Sequence, residues 1–140
     1  EDPHNFGAII RSCEAFGVDA IIIPNDRSVD ITGTVVKASV GTIEKVKIIK
    51  VTNLNNTIKK LKDYGYWVVG TDMEGTVYTN IDYKMKTALI IGNEGKGISR
   101  LVSENCDYLA KIPMSGTVNS LNASVACGIF LAEINRSRGV

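Results

Sequence analysis

The chain contains a single histidine, His4, and three cysteines, Cys13, Cys106 and Cys127, among 140 residues. One histidine argues against histidine-based metal sites and against hydrolysis by a Ser-His-Asp triad. An odd number of cysteines without a C-x-x-C pair predicts reduced, buried thiols in a cytosolic protein, and not a disulfide framework or a zinc site. We therefore expect a cytoplasmic protein without a bound metal.

Long apolar segments are also missing. No stretch reaches 18 apolar residues without a charge, so no membrane span is predicted, and no signal peptide is visible. The composition of 44% hydrophobic and 22% charged residues is that of an ordinary globular protein, and the length suffices for one core. Because the chain begins at Glu1 without a methionine, we expect an upstream segment to be missing.

The net charge of +1 carries no overall signal for nucleic-acid binding, but lysine is unevenly distributed. Residues 37–62 contain seven lysines and one acidic residue, Glu44, so this segment carries +6 and the remainder −5. A basic flank of this kind either contacts phosphates or forms a solvated surface, and the sequence leaves both possibilities open.

Apolar runs of strand length alternate with amphipathic helical patterns along the chain. Helices are predicted over 5–18, 32–41, 53–65, 98–105 and 119–136. Strands are predicted over 19–24, 45–51, 66–72, 86–92 and 107–113. Because the strands are continuous Val/Ile runs separated by helices, we predict an α/β fold whose mostly parallel sheet is covered by helices on both faces. Residues 1–140 would form one domain that lacks its first strand or carries only a remnant of it.

Ligands of open α/β sheets bind beyond the carboxyl ends of the strands, and the glycine-rich "IIGNEGKGIS" (90–99) lies at such a point. It is not a P-loop, since Lys96 is followed by Gly97 and no hydroxyl side chain is placed for magnesium. Its G-x-x-G-x-G spacing also differs from the dinucleotide-binding fingerprint. The glycines permit a ligand to approach the backbone closely, with Glu94 at the tip, or else form a plain tight turn.

Three further loop and helix features are open to a functional or a structural interpretation. "TDMEGTVYTN" (71–80) follows a predicted strand. "EDPHNFGAIIRSCEAFG" (1–17) places Asn5 and Arg11 near one edge of an otherwise apolar helix, where Arg11 by itself suggests a surface residue. In "IPMSGTVNSLNASVACGIFLAE" (112–133), the polar side chains either cap the helix, with Asn119 or Ser120 as N-cap, or bind a ligand.

Taken together, "DPHNFGAIIRSCEAFG", "LIIGNEGKGIS" and "IPMSGTVNSLNASVACGIFLAE" resemble the three ordered motifs of the SpoU (TrmH-like) RNA ribose 2′-O-methyltransferases of the SPOUT superfamily. The resemblance spans essentially the whole chain, and we expect any upstream RNA-binding domain to be missing from it. The pattern "GNEGKGISRL…CD…IPMSG" is most similar to the branch that methylates a guanosine ribose in large-subunit rRNA. This resemblance implies an S-adenosylmethionine-dependent RNA methyltransferase without a metal. The alternatives are a tRNA ribose methyltransferase, a non-catalytic RNA-binding relative and a generic nucleotide-binding enzyme.

The resemblance also implies a fold and a set of site residues. The C-terminal segment would pass through a loop to form a deep trefoil knot, an exception to the rule that chains do not thread loops. The implied catalytic residues are Arg11, Asn5, Glu94 and Asn122, with Arg11 either acting as proton acceptor beside an RNA phosphate or only orienting the ribose. The implied cofactor-binding residues are Thr71, Gly92, Asn93, Glu94, Ile112, Met114, Ser120, Leu121 and Asn122.

The last helix is apolar nearly all round, which is typical of a helix buried on more than one side. Phe130 and Ile134 lie on one side of it, and Leu121, Val125, Ile129 and Ala132 on another. By resemblance to the family, one side would meet the knot and the other a second subunit. We therefore expect RNA and a second copy of the chain as partners.

Overall fold

The computed structural model describes residues 3–25, 34–38, 45–92, 97–118 and 120–140. The helices in this part of the chain are α1 (Pro3–Ala15), α2 (Leu54–Asp63), α3 (Arg100–Asn105) and α4 (Ala123–Ser137). The strands are β1 (Ala20–Pro24), β2 (Thr34–Ala38), β3 (Lys47–Val51), β4 (Trp67–Val77), β5 (Thr87–Ile91) and β6 (Tyr108–Lys111). A short 3₁₀ turn, Tyr78–Asn80, follows β4.

The six strands form one sheet in the order β3-β1-β2-β5-β4-β6. β1 pairs with β3, and β4 pairs with both β5 and β6, in parallel. β2 is antiparallel to both of its neighbours, β1 and β5. All strands other than β2 therefore run in the same direction, and the predicted mostly parallel α/β sheet is confirmed.

The prediction of a helix over 32–41 is wrong where the structure describes this segment, because Thr34–Ala38 forms β2. Val36 is paired with Ile21 on one side and with Leu89 on the other, so β2 lies inside the sheet and joins its two parallel parts. The run Thr34–Val36 is β-branched, and such side chains favour extended backbone over helix. Residues 32, 33 and 39–41 lie outside the described part.

Helices cover both faces of the sheet, as predicted. Alternate residues of one strand point to opposite faces, and in β1 Ile21 packs in one apolar cluster and Ile22 in the other. The first cluster includes Cys13 of α1 and Phe130 of α4, whereas the second includes Ile58 of α2. The sheet is therefore buried between α1 and α4 on one side and α2 and α3 on the other.

The C-terminal end of α4 is fastened to the beginning of β5. Arg138 donates a hydrogen bond from Nε to the carbonyl oxygen of Tyr83, at 2.8 Å, and one from Nη2 to that of Met85, at 2.7 Å. Since α4 is held there, its N-terminal end lies at the opposite end of the sheet, beside the carboxyl ends of β4, β5 and β6. In the described residues, no helix is both long and apolar enough to cross a membrane.

Candidate functional site

A pocket of about 290 Å³ opens where β4, β5 and β6 end and α4 begins. Its inner wall includes the buried residues Ile91, Ala110 and Phe130. Six of the predicted cofactor residues line it: Thr71, Gly92, Ile112, Met114, Ser120 and Leu121. These residues come from three separate parts of the chain, and the fold brings all of them to one cavity.

Close packing of the backbone at Gly92 forms one wall of this pocket. A Cβ atom at Gly92 would lie 2.5 Å from the carbonyl carbon of Gly97 and 2.8 Å from the backbone nitrogen of Ile98. The Gly92 N–H group donates a hydrogen bond to Oγ1 of Thr71, at 3.3 Å. Only glycine fits here without displacing the neighbouring backbone. The predicted site residues Asn93 and Glu94 lie outside the described part of the chain.

The third motif caps α4 differently from the prediction. The helix was expected from residue 119 with Asn119 or Ser120 as N-cap, but it begins at Ala123 and its N-cap is Asn122. Asn122 Oδ1 accepts a hydrogen bond from the backbone N–H of Ser124, at 2.9 Å, which satisfies one of the first free donors of the helix. Ser120 instead lines the pocket. Asn119 lies outside the described residues, and Asn122 itself is exposed and does not line the pocket.

The first motif lies on α1, which packs against α4. The side-chain amide of Asn135 donates to the carbonyl oxygen of Phe16, at 3.4 Å, where α1 has just ended. Asn5 is in the first turn of α1, and its side chain is not among those described. Arg11 is exposed and does not line the pocket. Arg11 therefore does not join the six predicted residues that line the pocket.

None of the three cysteines lines the pocket. Cys13 and Cys127 are buried, and their mutual hydrogen bond, together with burial, raises the pKa of the Cys13 thiol. Burial, followed by the nearby Asp107, raises the pKa of Cys106 to about 12. A raised pKa keeps the thiols of Cys13 and Cys106 protonated at neutral pH, and protonated thiols are poor nucleophiles. Among the described residues, no group of His, Cys, Asp and Glu side chains could hold a metal ion.

Two charged residues that the sequence interpretation missed also line the pocket: Asp72 and Lys111. Asp72 belongs to an irregular stretch of β4, because Thr71 and Thr76 both pair with Ala110 and residues 72–75 have no partners on β6. Such bulges redirect side chains near functional sites. The one available signal for Asp72 was its place directly after Thr71, in a loop that the sequence already marked as unusual.

The lysine-rich flank is spread over two elements. Lys45, Lys47 and Lys50 are exposed on or just before the edge strand β3, and Lys59 and Lys60 are exposed on α2. Lys62 forms an ion pair with Asp107, with 3.7 Å between Nζ and Oδ1. Lysines on an edge strand also hinder unwanted strand pairing, so the described lysines do not by themselves define a phosphate-binding surface.

The chain is similar to known proteins in both sequence and fold. The model of the SpoU rRNA Methylase family matches residues 1–132. A protein of Staphylococcus aureus (strain COL) is 55% identical over 139 residues. These residues are 99% of this chain and 56% of that protein, whose name assigns it provisionally to the TrmH family of tRNA/rRNA methyltransferases. The chain thus spans a little over half the length of this curated relative.

Two solved structures share the fold over almost the whole chain. The A. aeolicus TrmH/SpoU tRNA modifying enzyme aligns with a TM-score of 0.82 and 33% identity, covering 99% of this chain and 71% of that one. The SpoU methyltransferase AviRb from Streptomyces viridochromogenes, crystallised with the cofactor AdoMet, aligns with a TM-score of 0.77 and 29% identity, covering 98% of this chain and 54% of that one.

Proposed function

Because this chain belongs to the SpoU rRNA methylase family, we propose that it transfers the methyl group of S-adenosylmethionine to a ribose 2′-hydroxyl in RNA. We propose a guanosine of large-subunit rRNA as the target, which the sequence pattern around the second and third motifs favours. A tRNA target is the second candidate, since the similar A. aeolicus structure is that of a tRNA modifying enzyme.

The observation that carries the proposal is the meeting of six predicted cofactor residues in one pocket. The pocket fits a nucleoside cofactor, because a buried apolar inner wall suits a flat base and the glycine backbone at Gly92 permits close approach. Ser120, Leu121 and Met114 would form the wall opposite Thr71. In our proposal Asn93 and Glu94 complete this wall, and the C-terminal segment passes through the surrounding loop as a trefoil knot.

The bound cofactor would supply a sulfonium-activated methyl group, which is electrophilic without a metal. The chain must then position the ribose hydroxyl and provide an acceptor for its proton. We propose that Arg11 contacts the ribose and its neighbouring phosphate, since Arg11 is exposed on α1 and accessible to RNA. Asn5 and Glu94 would orient Arg11 or the ribose, and Asn122 would hold the first turn of α4 against the cofactor pocket.

Calorimetric titration of this chain with S-adenosylhomocysteine, using NAD and ATP as controls, tests the proposal. We expect one site per chain for S-adenosylhomocysteine and no binding of the other two ligands. Asn122→Ala should weaken the affinity about tenfold, because Asn122 anchors the helix directly after the pocket residues Ser120 and Leu121.

Asn53→Ala provides a matched control for this variant. Asn53 is also an N-cap, and its Oδ1 accepts a hydrogen bond from the backbone N–H of Asn56 at 3.0 Å, but it caps α2 away from the pocket. Its loss should lower the stability of the chain by about 1 kcal/mol without changing ligand affinity. A folded sample that binds no S-adenosylhomocysteine would refute the proposed function.

A further inference from the structure

Two opposite charges line the pocket without pairing to one another. Asp72 on β4 and Lys111 on β6 are both half-buried, and they come from neighbouring parallel strands. They form no ion pair with each other, and no other described residue forms an ion pair with either. Partly desolvated charges of opposite sign in one pocket, with no ion-pair partner among the described residues, favour a ligand that carries both charges.

We propose that Asp72 and Lys111 form a clamp for the zwitterionic amino-acid end of the ligand. The carboxylate of Asp72 receives the ligand's α-ammonium group, and the ammonium group of Lys111 pairs with the ligand's α-carboxylate. This inference rests on the proposed function, because S-adenosylmethionine and S-adenosylhomocysteine both end in an α-amino acid. It adds Asp72 and Lys111 to the cofactor-binding residues that the family resemblance implied.

The backbone of β4 holds Asp72 in place for this role. Its Oδ1 accepts a hydrogen bond from the backbone N–H of Glu74, at 2.7 Å, the single hydrogen bond that Asp72 makes to the described residues. The bulge closes at Gly75, where an added Cβ atom would lie 2.5 Å from the carbonyl carbon and oxygen of Leu109. One carboxylate oxygen thus fixes the side chain to the bulge, and a carboxylate has further lone pairs for a ligand.

The distribution of polarity within the pocket agrees with a ligand of this shape. Ile91, Ala110 and Phe130 are buried and apolar, whereas Asp72 and Lys111 are half-buried and charged. An adenine ring fits the apolar part, and a charged amino-acid chain fits the part reached by both strands. Charge pairs in a partly desolvated site are stronger than on an open surface, so each contact should contribute measurably to affinity.

The test compares two ligands that differ only at the end in question. S-adenosylhomocysteine carries the amino-acid chain, whereas 5′-methylthioadenosine keeps the adenosine and the thioether and ends in a methyl group. We expect Asp72→Asn and Lys111→Gln each to weaken S-adenosylhomocysteine about tenfold in calorimetric titration and to leave 5′-methylthioadenosine unchanged. Retained 5′-methylthioadenosine binding also shows that the pocket of each variant is folded.

Asp82→Asn is the matched control, because Asp82 lies outside the pocket. Its Oδ1 likewise accepts a hydrogen bond from the backbone N–H two residues on, that of Lys84, at 2.9 Å. It should change neither affinity. Unchanged S-adenosylhomocysteine affinity in either pocket variant would overturn the clamp, and so would an equal loss for both ligands, which would place Asp72 or Lys111 at the adenosine. Those results leave the proposed function standing, whereas a lack of S-adenosylhomocysteine binding by the unaltered chain overturns both.

Discussion

Arg11 shows that a side chain proposed for the reaction need not belong to the cofactor pocket. It is exposed on α1 and does not line the cavity, whereas Ser12 and Cys13 beside it face α4 or the core. Asn122 is likewise outside the cavity and holds the backbone of α4. At the scale of single residues, the proposed site therefore divides into residues that line the pocket and exposed residues that lie outside it.

This division predicts that Arg11→Ala separates turnover from cofactor binding. We expect kcat/KM for methylation of large-subunit rRNA to fall about 100-fold or more, as for loss of a group that assists proton transfer. The affinity for S-adenosylhomocysteine should not change, because Arg11 does not line the pocket. Single-turnover methylation and calorimetry measure the two quantities.

Arg100→Ala is the control for that experiment, since Arg100 is also exposed and, among the described residues, its one ion pair is with Glu104 on its own helix, α3. It should keep full activity. An Arg11→Ala variant with normal turnover would contradict the assignment. A pH–rate profile left unchanged by Arg11→Lys would restrict Arg11 to orienting the ribose and phosphate.

Among the elements, β2 differs most from what its sequence suggested. Periodicity over 32–41 favoured a short helix, yet Thr34–Ala38 is hydrogen-bonded on both sides in the middle of the sheet. Short apolar runs do not distinguish a buried strand from a helix, and pairing with neighbouring strands decides between them. β2 is the element that connects β1 and β3 to the strands that carry the pocket.

A proline inside β2 should therefore destabilise the whole domain. Val36 is paired with both β1 and β5, so Val36→Pro removes a ladder hydrogen bond whichever strand receives its N–H group. We expect the free energy of unfolding, measured by urea denaturation, to fall by about 3 kcal/mol or more.

Arg100→Pro is the matched control, because Arg100 is the first residue of α3 and the N–H of a first helical residue has no partner within its helix. Ser99 before it is already extended, with φ −69° and ψ 160°, as a residue before proline prefers. This variant should lose less than about 1 kcal/mol. If both prolines cost the same, Val36 does not lie in a central strand.

Over the whole molecule, α4 has one face in the core and one face outward. Phe130 and Ile134 are 1% and 2% exposed, whereas Val125 is 50% exposed and Ala132 is also exposed. The predicted helix with two apolar sides is therefore only partly covered by its own chain. We propose that the outward side, with Val125 and Ala132, meets α4 of a second copy in a homodimer.

Sedimentation velocity at micromolar concentration should accordingly show a dimer for this chain and a shift to monomer for Val125→Glu. A carboxylate placed between two apolar surfaces would lose its hydration without gaining a partner. Leu101→Glu is the control, since Leu101 is 58% exposed on α3, on the other face of the sheet, and should remain dimeric. Sedimentation of the unaltered chain as monomer alone would count against the dimer.

The sequence by itself determined the fold class and most of the elements, and the resemblance of its three motifs to the SpoU family indicated six residues of the pocket. Continuous Val/Ile strands, the buried face of α2 and the glycine at position 92 are local patterns, and each reflects a constraint that its own segment must satisfy. These features therefore needed no knowledge of distant partners.

Only the tertiary structure decided that residues 34–38 form the strand β2 and that Asp72 and Lys111 lie in one pocket. β2 is a strand because two neighbouring strands offer it hydrogen bonds. Asp72 and Lys111 are distant in sequence, and they share a pocket because β4 and β6 pair in parallel around the bulge. Long-range strand pairing leaves no signal in either segment alone, which is why that part of the site could be found only from the folded chain.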